Sequence, residues 1–451
     1  MPFWRLVGWD LVMLWRSGAA VATVVLLFAA AALASYTGLS AQAAHRTAIA
    51  EAQALAQSSR NPTATSLESP HAVRLRILAD EPPLLDFAVG RAGLDPILGE
   101  ATALTPLHRV FENYQVDNPL RLALARFDFA FLVTFLAPVI LIALCAGLLA
   151  EERRTGRLAL LLAQGARPGR IVLARVAARA VLVIAPLSAA LVAQALIGGG
   201  VEGARGLAFA VFLGVAVIGL LIWAGLCVAL NGFVRQGAAS AVAAFSVWLV
   251  LAAAGPSAIT AAGQALAPAP SRLAFIADAR SAEIAAVKNA ESLAQAYLND
   301  HPELEQGGFD VPGWAKSRYV VSLRIDEALG PVRSAFAVSL EHQMTFVTSL
   351  QVLTPTLAQS IAMTDIAGTS VRAALERQSG AQTDVAAFRA AMGRAIMGGR
   401  GVSADEAASW STRSLAAASL PAWTSLTILL AWLVAVWGAA LMAMRRLERS
   451  R

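Results

Sequence analysis

The sequence predicts a mainly α-helical, polytopic membrane protein: a bundle of about six transmembrane helices with two extracytoplasmic insertions, the second of them largely helical. Two observations carry this prediction. Of the 451 residues, 57% are hydrophobic and only 15% are charged, and the mean hydropathy is +0.61, which is too apolar for a soluble chain of this length. The apolar residues are also concentrated in runs of about 20, the length that crosses the hydrocarbon core of a bilayer.

Arginines at the ends of these runs predict the topology. The predicted spans are residues 18–39, 129–150, 180–197, 207–230, 238–262 and 421–444. Arg5 and Arg16 precede the first span, the segment 151–179 follows the second, Arg235 follows the fourth, and a further group begins at Arg445. All four groups lie on one side if both termini are cytoplasmic, as the positive-inside rule requires. We therefore predict a multi-pass protein of the inner (plasma) membrane with both termini in the cytoplasm.

The spans divide the chain into five parts. We predict an interfacial helix and the first span in residues 1–39, an extracytoplasmic domain in 40–128, spans two to five in 129–262, a second extracytoplasmic domain in 263–420, and the last span with a cytoplasmic tail in 421–451. The alternative for the first span is a cleaved signal peptide, but its apolar core is closer in length to a membrane span.

The second insertion shows helical periodicity in two segments, residues 271–300 and 317–350. Apolar side chains recur at helical spacing in both, and the sequence HPELEQGGFDVPGW separates them. This pattern predicts an antiparallel pair of helices projecting from the membrane. Gly330 and Pro331 are expected to interrupt the second helix.

The residue types of several chemistries are missing from the predicted spans. The five spans after the first contain no Asp, Glu, Lys, Arg or His, which disfavours coupling to an ion gradient. No H-E-x-x-H pattern occurs, and Cys145 and Cys227 lie in apolar runs, where they pack as small hydrophobes. Neither Lys288 nor Lys316 follows a glycine, so the phosphate-binding loop of an ATPase is absent. We expect no enzyme activity, metal or cofactor, and a separate subunit must power any directed transport.

Two polar residues are candidates for a substrate path. Gln194 is the strongly polar side chain predicted in the middle of a span, and an interhelical hydrogen bond is its alternative role. Asp128 stands at the outer mouth of the second span, where an ion pair or a helix cap is the alternative. Asp365, with Gly368 and Thr369, is predicted to form a turn or helix cap. The basic pI comes from arginines at span ends, so no nucleic-acid partner is expected.

The segment 151–179 carries seven arginines between two apolar runs, so it is predicted to face the cytoplasm, where a cytosolic partner would touch it. This run resembles the segment after the second span of type-2 ABC transporter permeases, in which an acid, a glycine, spaced leucines and a proline lead through a basic helix into the third span. The resemblance implies that the segment is a coupling elbow, whose apolar helical face and arginines dock in a groove of a partner. Its candidate residues are Glu151, Glu152, Gly156, Leu158, Leu161, Leu162, Arg167, Pro168, Arg170 and Arg175.

The resemblance extends along most of the chain for one branch of that family, which has large extracytoplasmic insertions after the first and fifth spans. The stretches EPPLLDFAVG, NPLRLALARFDFAF, HPEL and LTPTLAQSIAMTDIAGTSVRAALE occur here in the same order. The resemblance implies a permease, mainly of exporters, that pairs with a second permease subunit of the same or a related chain and docks a P-loop ATPase at the elbow. The alternatives are a membrane scaffold that assembles envelope proteins through its outer domains and, third, a membrane-embedded hydrolase.

Overall fold

The computed structural model describes residues 3–58, 67–92, 97–110, 127–148, 156, 167–200, 202–233, 237–304, 308–415 and 422–449. The helices in chain order are α1 (Phe3–Arg16), α2 (Ala19–Ser58), α3 (Phe129–Cys145), α4 (Pro168–Ile197), α5 (Gly203–Phe233), α6 (Ala239–Leu266), α7 (Arg272–Lys288), α8 (Ala290–Asp300), α9 (Gly313–Leu350), α10 (Pro355–Ala367), α11 (Val371–Met397), α12 (Ala404–Ser409) and α13 (Trp423–Arg449). The strands are β1 (Arg74–Ala79), β2 (Leu98–Thr102) and β3 (Thr412–Leu415). The predicted mainly helical membrane class is confirmed.

Five helices of the described residues are long and apolar enough to cross a membrane: α2, α4, α5, α6 and α13. The predicted second span is shorter than expected, because α3 ends at Cys145. There Ala146 adopts an extended backbone and Gly147 a left-handed one with φ of 67°, which only glycine adopts without strain. The other helices continue past the predicted spans. α2 reaches Ser58 and is about 60 Å long, because the alanine-rich residues after the apolar run also favour helix.

The chain passes back and forth so that its first and last helices meet at one end of the bundle. Val7 of α1 packs on Ala174 and Ala178 near the start of α4. A Cβ at Gly169 would lie 2.9 Å from the Cβ of Met444, near the end of α13. We call this end, formed by α1, the start of α4 and the ends of α3, α5 and α13, the base.

The opposite end carries a domain built from both polar insertions, which we call the head domain (residues 67–110 and 267–415 without α10). Its three-stranded sheet has the order β2-β1-β3; β1 is antiparallel to β2 and parallel to β3. Leu75 and Ile77 of β1 share one core with Tyr319, Phe388 and Met392. The two insertions, predicted as two extracytoplasmic domains, therefore pack together.

The predicted antiparallel helical pair is present in the head domain. Phe275 of α7 contacts Phe336 in the second half of α9, whereas Tyr297 of α8 contacts Tyr319 near the start of α9. The expected interruption at Gly330 and Pro331 is wrong, because α9 runs through both. Pro331 is exposed, as are the residues one turn before it, so water can bind the carbonyl that proline leaves without a donor.

Helix α10 belongs to the second insertion by sequence but packs inside the bundle. Ala358, Ala362 and Met363 are fully buried in the core formed by the membrane helices. A Cβ at Gly219, in the middle of α5, would overlap the side chain of Gln359. At its end, Gly368 takes a left-handed conformation with φ of 74° and caps the helix, which confirms the cap predicted there. The end of α9 thus enters the bundle from the head side, with Phe346 beside Gly263 and Thr354 beside Gly255 of α6. α10 leads back toward the head domain, and its 13 residues are too few for a span.

Candidate functional site at the base of the bundle

The structure describes about half of the predicted coupling elbow. Glu151, Glu152, Leu158, Leu161 and Leu162 lie outside the described residues.

The remaining elbow residues can be placed. Gly156 has a left-handed backbone with φ of 71°, which suits a turn. Arg167 has an extended backbone and Pro168 begins α4, the position where proline's missing N–H costs nothing. Pro168 is buried while Arg167 and Arg170 are exposed, so α4 starts with its apolar side inward and two cations outward.

A buried ion pair joins α1 to α4 at this end. The Asp10 carboxylate binds the Arg179 guanidinium, and the two side chains are only 12% and 10% exposed. Arg175 adds a second cation, its Nε lying 3.8 Å from Oδ1 of Asp10. Asp10 lies on the buried side of α1 with Val7, whereas Trp4 and Trp9 are exposed. The amphipathic helix predicted for this region therefore places one carboxylate against the arginines of α4.

The same arginines bind carbonyls at the end of α3 and just beyond it. Arg179 donates from Nε to the carbonyl of Leu144 at 2.8 Å, and Arg175 donates to that of Leu148 at 3.4 Å. From α5, Asn231 donates to the carbonyl of Cys145 at 3.0 Å. The last carbonyls of a helix have no partner within it, so side chains of α4 and α5 supply the missing donors. The point where the chain leaves α3 for the elbow is thereby held by two neighbouring helices.

Comparison with known protein families shows to which family the chain belongs. The model of the ABC-2 family transporter protein matches residues 4–450. The chain belongs to the ABC-2 transporter family. It is therefore a multi-pass membrane protein and a permease component of an ABC transporter, as its sequence resemblance indicates. No curated protein matches the chain.

The two predicted path residues of this ABC-2 permease lie at the opposite end, around one loop. Gln194 is one turn from the end of α4, not in the middle of a span; α4 ends at Ile197, as the predicted span does. It donates to the carbonyl of Asp86 at 3.4 Å. Asp128 caps the start of α3, accepting from the backbone N–H groups of Phe131 and Val89, each at 2.8 Å. Both side chains thus hold the loop Asp86–Val89, and contact with cargo stays a prediction.

An ion pair closes this end. Asp86 is fully buried, and its Oδ2 lies 3.0 Å from Nη2 of Arg205 at the start of α5. A Cβ at Gly38 of α2 would overlap the Asp86 carbonyl, so the loop touches α2 directly. Burial raises the pKa of Asp86 to about 6, although Arg205 acts in the opposite direction.

Sequence reasoning missed Asp10, Asn231, Asp86 and Arg205, and it assigned Arg179 only to topology. One signal was available: Asp10 is the single acid among the apolar and aromatic residues of the predicted interfacial helix. A lone carboxylate on such a helix needs a buried cation or water. Nothing local indicates which of the many arginines it meets.

Replacing Asp10 with alanine should destabilise the protein because it leaves Arg179 buried without its carboxylate. We expect Asp10→Ala to lower the free energy of unfolding by about 3 kcal/mol. The double variant Asp10→Leu with Arg179→Met should lose less, since it removes both charges. The control Glu327→Ala breaks an exposed pair with Arg324 and should cost below about 1 kcal/mol. Thermal unfolding in detergent measures all three, and equal losses for Asp10→Ala and Glu327→Ala would contradict the buried pair.

The pH dependence of stability should report on Asp86. Its folded pKa of about 6 lies above the ordinary 3.8, so its contribution to stability is full below the ordinary value and is lost as pH rises through about 6. As the pH rises from about 4.5 to about 7.5, the wild type should lose about 2 kcal/mol more stability than Asp86→Asn, because asparagine does not ionise. The measurement is the unfolding temperature at both pH values. If the unfolding temperatures of the two proteins change in parallel with pH, the raised pKa of Asp86 is refuted. Asp128 is present in both proteins, so its contribution to the pH dependence cancels in the comparison.

Proposed function

We propose that this permease is the transmembrane subunit of an ATP-driven exporter whose energy comes from a separate P-loop ATPase docked at the base. In this proposal the protein lies in the inner membrane with both termini in the cytoplasm, so that the base faces ATP. It works with a second permease subunit, either another copy or a related chain. The head domain then lies on the extracytoplasmic side, where exported cargo leaves.

The observation that carries the proposal is the capping of α3 by its neighbours. The predicted docking segment connects the end of α3 to the start of α4. Arg175 and Arg179 tie both ends of this segment to each other, and Asp10 ties them to α1. A displacement of the elbow by a closing ATPase pair would therefore move α1, α3 and α4 together. Rigid-body motion of this kind converts hydrolysis into opening of the bundle.

Two exposed cations support the placement of the partner. Arg167 and Arg170 belong to the elbow and lie at the start of α4. In a bilayer, arginines at this level fix orientation, but exposed arginines next to an apolar docking helix also steer a partner that carries acidic residues. Export as the direction of transport rests on the resemblance to a family that consists mainly of exporters.

Charge reversal at the base should break the complex. We expect Arg167→Glu with Arg170→Glu to lower both the amount of co-purified P-loop ATPase and its activity by about tenfold or more, since like charges at an interface repel. The matched control reverses two exposed arginines of the head domain, Arg280→Glu with Arg413→Glu, and should leave both unchanged. The measurements are quantitative pull-down from native membranes and ATP hydrolysis in nanodiscs.

Two outcomes would count against the proposal. If both double variants retain the ATPase equally, the docking surface lies elsewhere than at the start of α4. If the wild-type protein brings down no P-loop ATPase from membranes under conditions that preserve membrane complexes, the non-transporting scaffold is the better account.

A further inference from the structure

A cavity of about 420 Å³ opens in the head domain, far from the base. It lies between the turn that follows β2 and the first two turns of α9. Its lining includes Leu104, Pro106, Arg109, Trp314 and Arg318. The volume falls within the range of small-molecule sites, about 300–1,000 Å³. The role proposed for the base does not use this cavity.

Two arginines in the cavity share one carboxylate. Nη2 of Arg109 lies 2.5 Å from Oε2 of Glu283, and Nη2 of Arg318 lies 3.8 Å from the other oxygen of the same carboxylate. Both guanidinium groups therefore lie near one carboxylate at the cavity. Guanidinium groups bind phosphate through paired hydrogen bonds. Each arginine side chain is 41% exposed and can reach a ligand in the cavity.

An aromatic ring lies beside these cations. Trp314 is 60% exposed, although it is one of the largest apolar side chains. Its edge contacts the ring of His71 at 5.2 Å between centroids, which positions the indole at the mouth of the cavity. Leu104 and Pro106 add further apolar surface. An exposed tryptophan next to arginines offers contact area for the apolar part of an anionic molecule.

We propose that this cavity binds a phosphate group attached to an apolar body, with the phosphate on Arg318 and Arg109 and the apolar part on Trp314. The ligand chemistry is shared by a phospholipid headgroup with its attached chain and by a soluble phosphate ester. Binding here is independent of the ATPase and of the direction of transport. It gives the head domain a recognition role that neither the family nor the base accounts for.

The test uses the full-length protein in phosphatidylcholine nanodiscs and phosphate-free buffer, with phenyl phosphate as the probe in calorimetric titration. We expect saturable binding that weakens with added salt. Arg318→Gln should weaken it by about tenfold or more, whereas the control Arg280→Gln, an exposed arginine of α7 outside the cavity lining, should not. Unfolding temperatures of all variants show whether they are folded.

A second variant separates the two halves of the site and stays informative if Arg318→Gln fails to fold. Trp314→Ala should weaken phenyl phosphate by about fivefold or more, the scale of an aromatic contact, and leave inorganic phosphate unchanged. Dihexanoyl phosphatidic acid as a competitor identifies the source: tighter binding than phenyl phosphate assigns a lipid headgroup, and weaker binding assigns a soluble ester. Absence of saturable phenyl phosphate binding, or equal losses in Arg318→Gln and Arg280→Gln, would overturn the proposal.

Discussion

The base depends on one interaction, the buried ion pair between the Asp10 carboxylate of α1 and the arginines of α4. A hydrocarbon environment offers no water to unpaired backbone groups, so a helix that ends near it must find donors for its last carbonyls. Here Arg179 and Asn231 supply them. Arg179 is a cation whose burial depends on its pairing with Asp10. One acidic side chain thus permits α3 to end at Cys145 and the chain to turn into the elbow.

The head end is organised by a different constraint, the joining of distant segments. Strand β3 pairs with β1 although more than three hundred residues separate them, so the complete sheet contains strands from both insertions. α10 connects the two parts. It follows the end of α9 into the bundle, packs with Gln359 over Gly219 in the middle of α5, and leads back to α11. Trp432 of α13 also donates to the carbonyl of Val352 just before α10 at 2.8 Å. α5 and α13 are therefore linked to the head domain by direct contacts.

The membrane helices could be predicted from sequence because hydrocarbon thickness is a local constraint that every span must satisfy. The helical pair of the head domain could be predicted as well, because the periodic spacing of its apolar residues is also a local pattern. Three features could not be predicted. The partner of Asp10 is 169 residues away, and no local pattern selects Arg179. α10 has the length and composition of an ordinary soluble helix. Gly330 and Pro331 signal a break, but tertiary packing of α9 on α7 and α8 outweighs their low propensity.

The candidate site also has features that could be predicted from sequence and one that was misplaced. Proline at the first residue of α4 and the Gly368 cap were predictable because both are rules of local backbone geometry. Gln194 was misplaced in the prediction itself, because both the predicted span and α4 end at Ile197, only three residues beyond it.

The most direct test of the account is which side of the membrane the base faces. The two native cysteines are both buried, so single introduced cysteines can be labelled with a membrane-impermeant maleimide. Arg170→Cys reports on the base and Arg280→Cys on the head domain. We predict that Arg280→Cys is labelled in spheroplasts and that Arg170→Cys is labelled only in inverted vesicles. Labelling of Arg170→Cys from the outside of spheroplasts would contradict the account, because a base on that side cannot meet an ATPase in the cytoplasm.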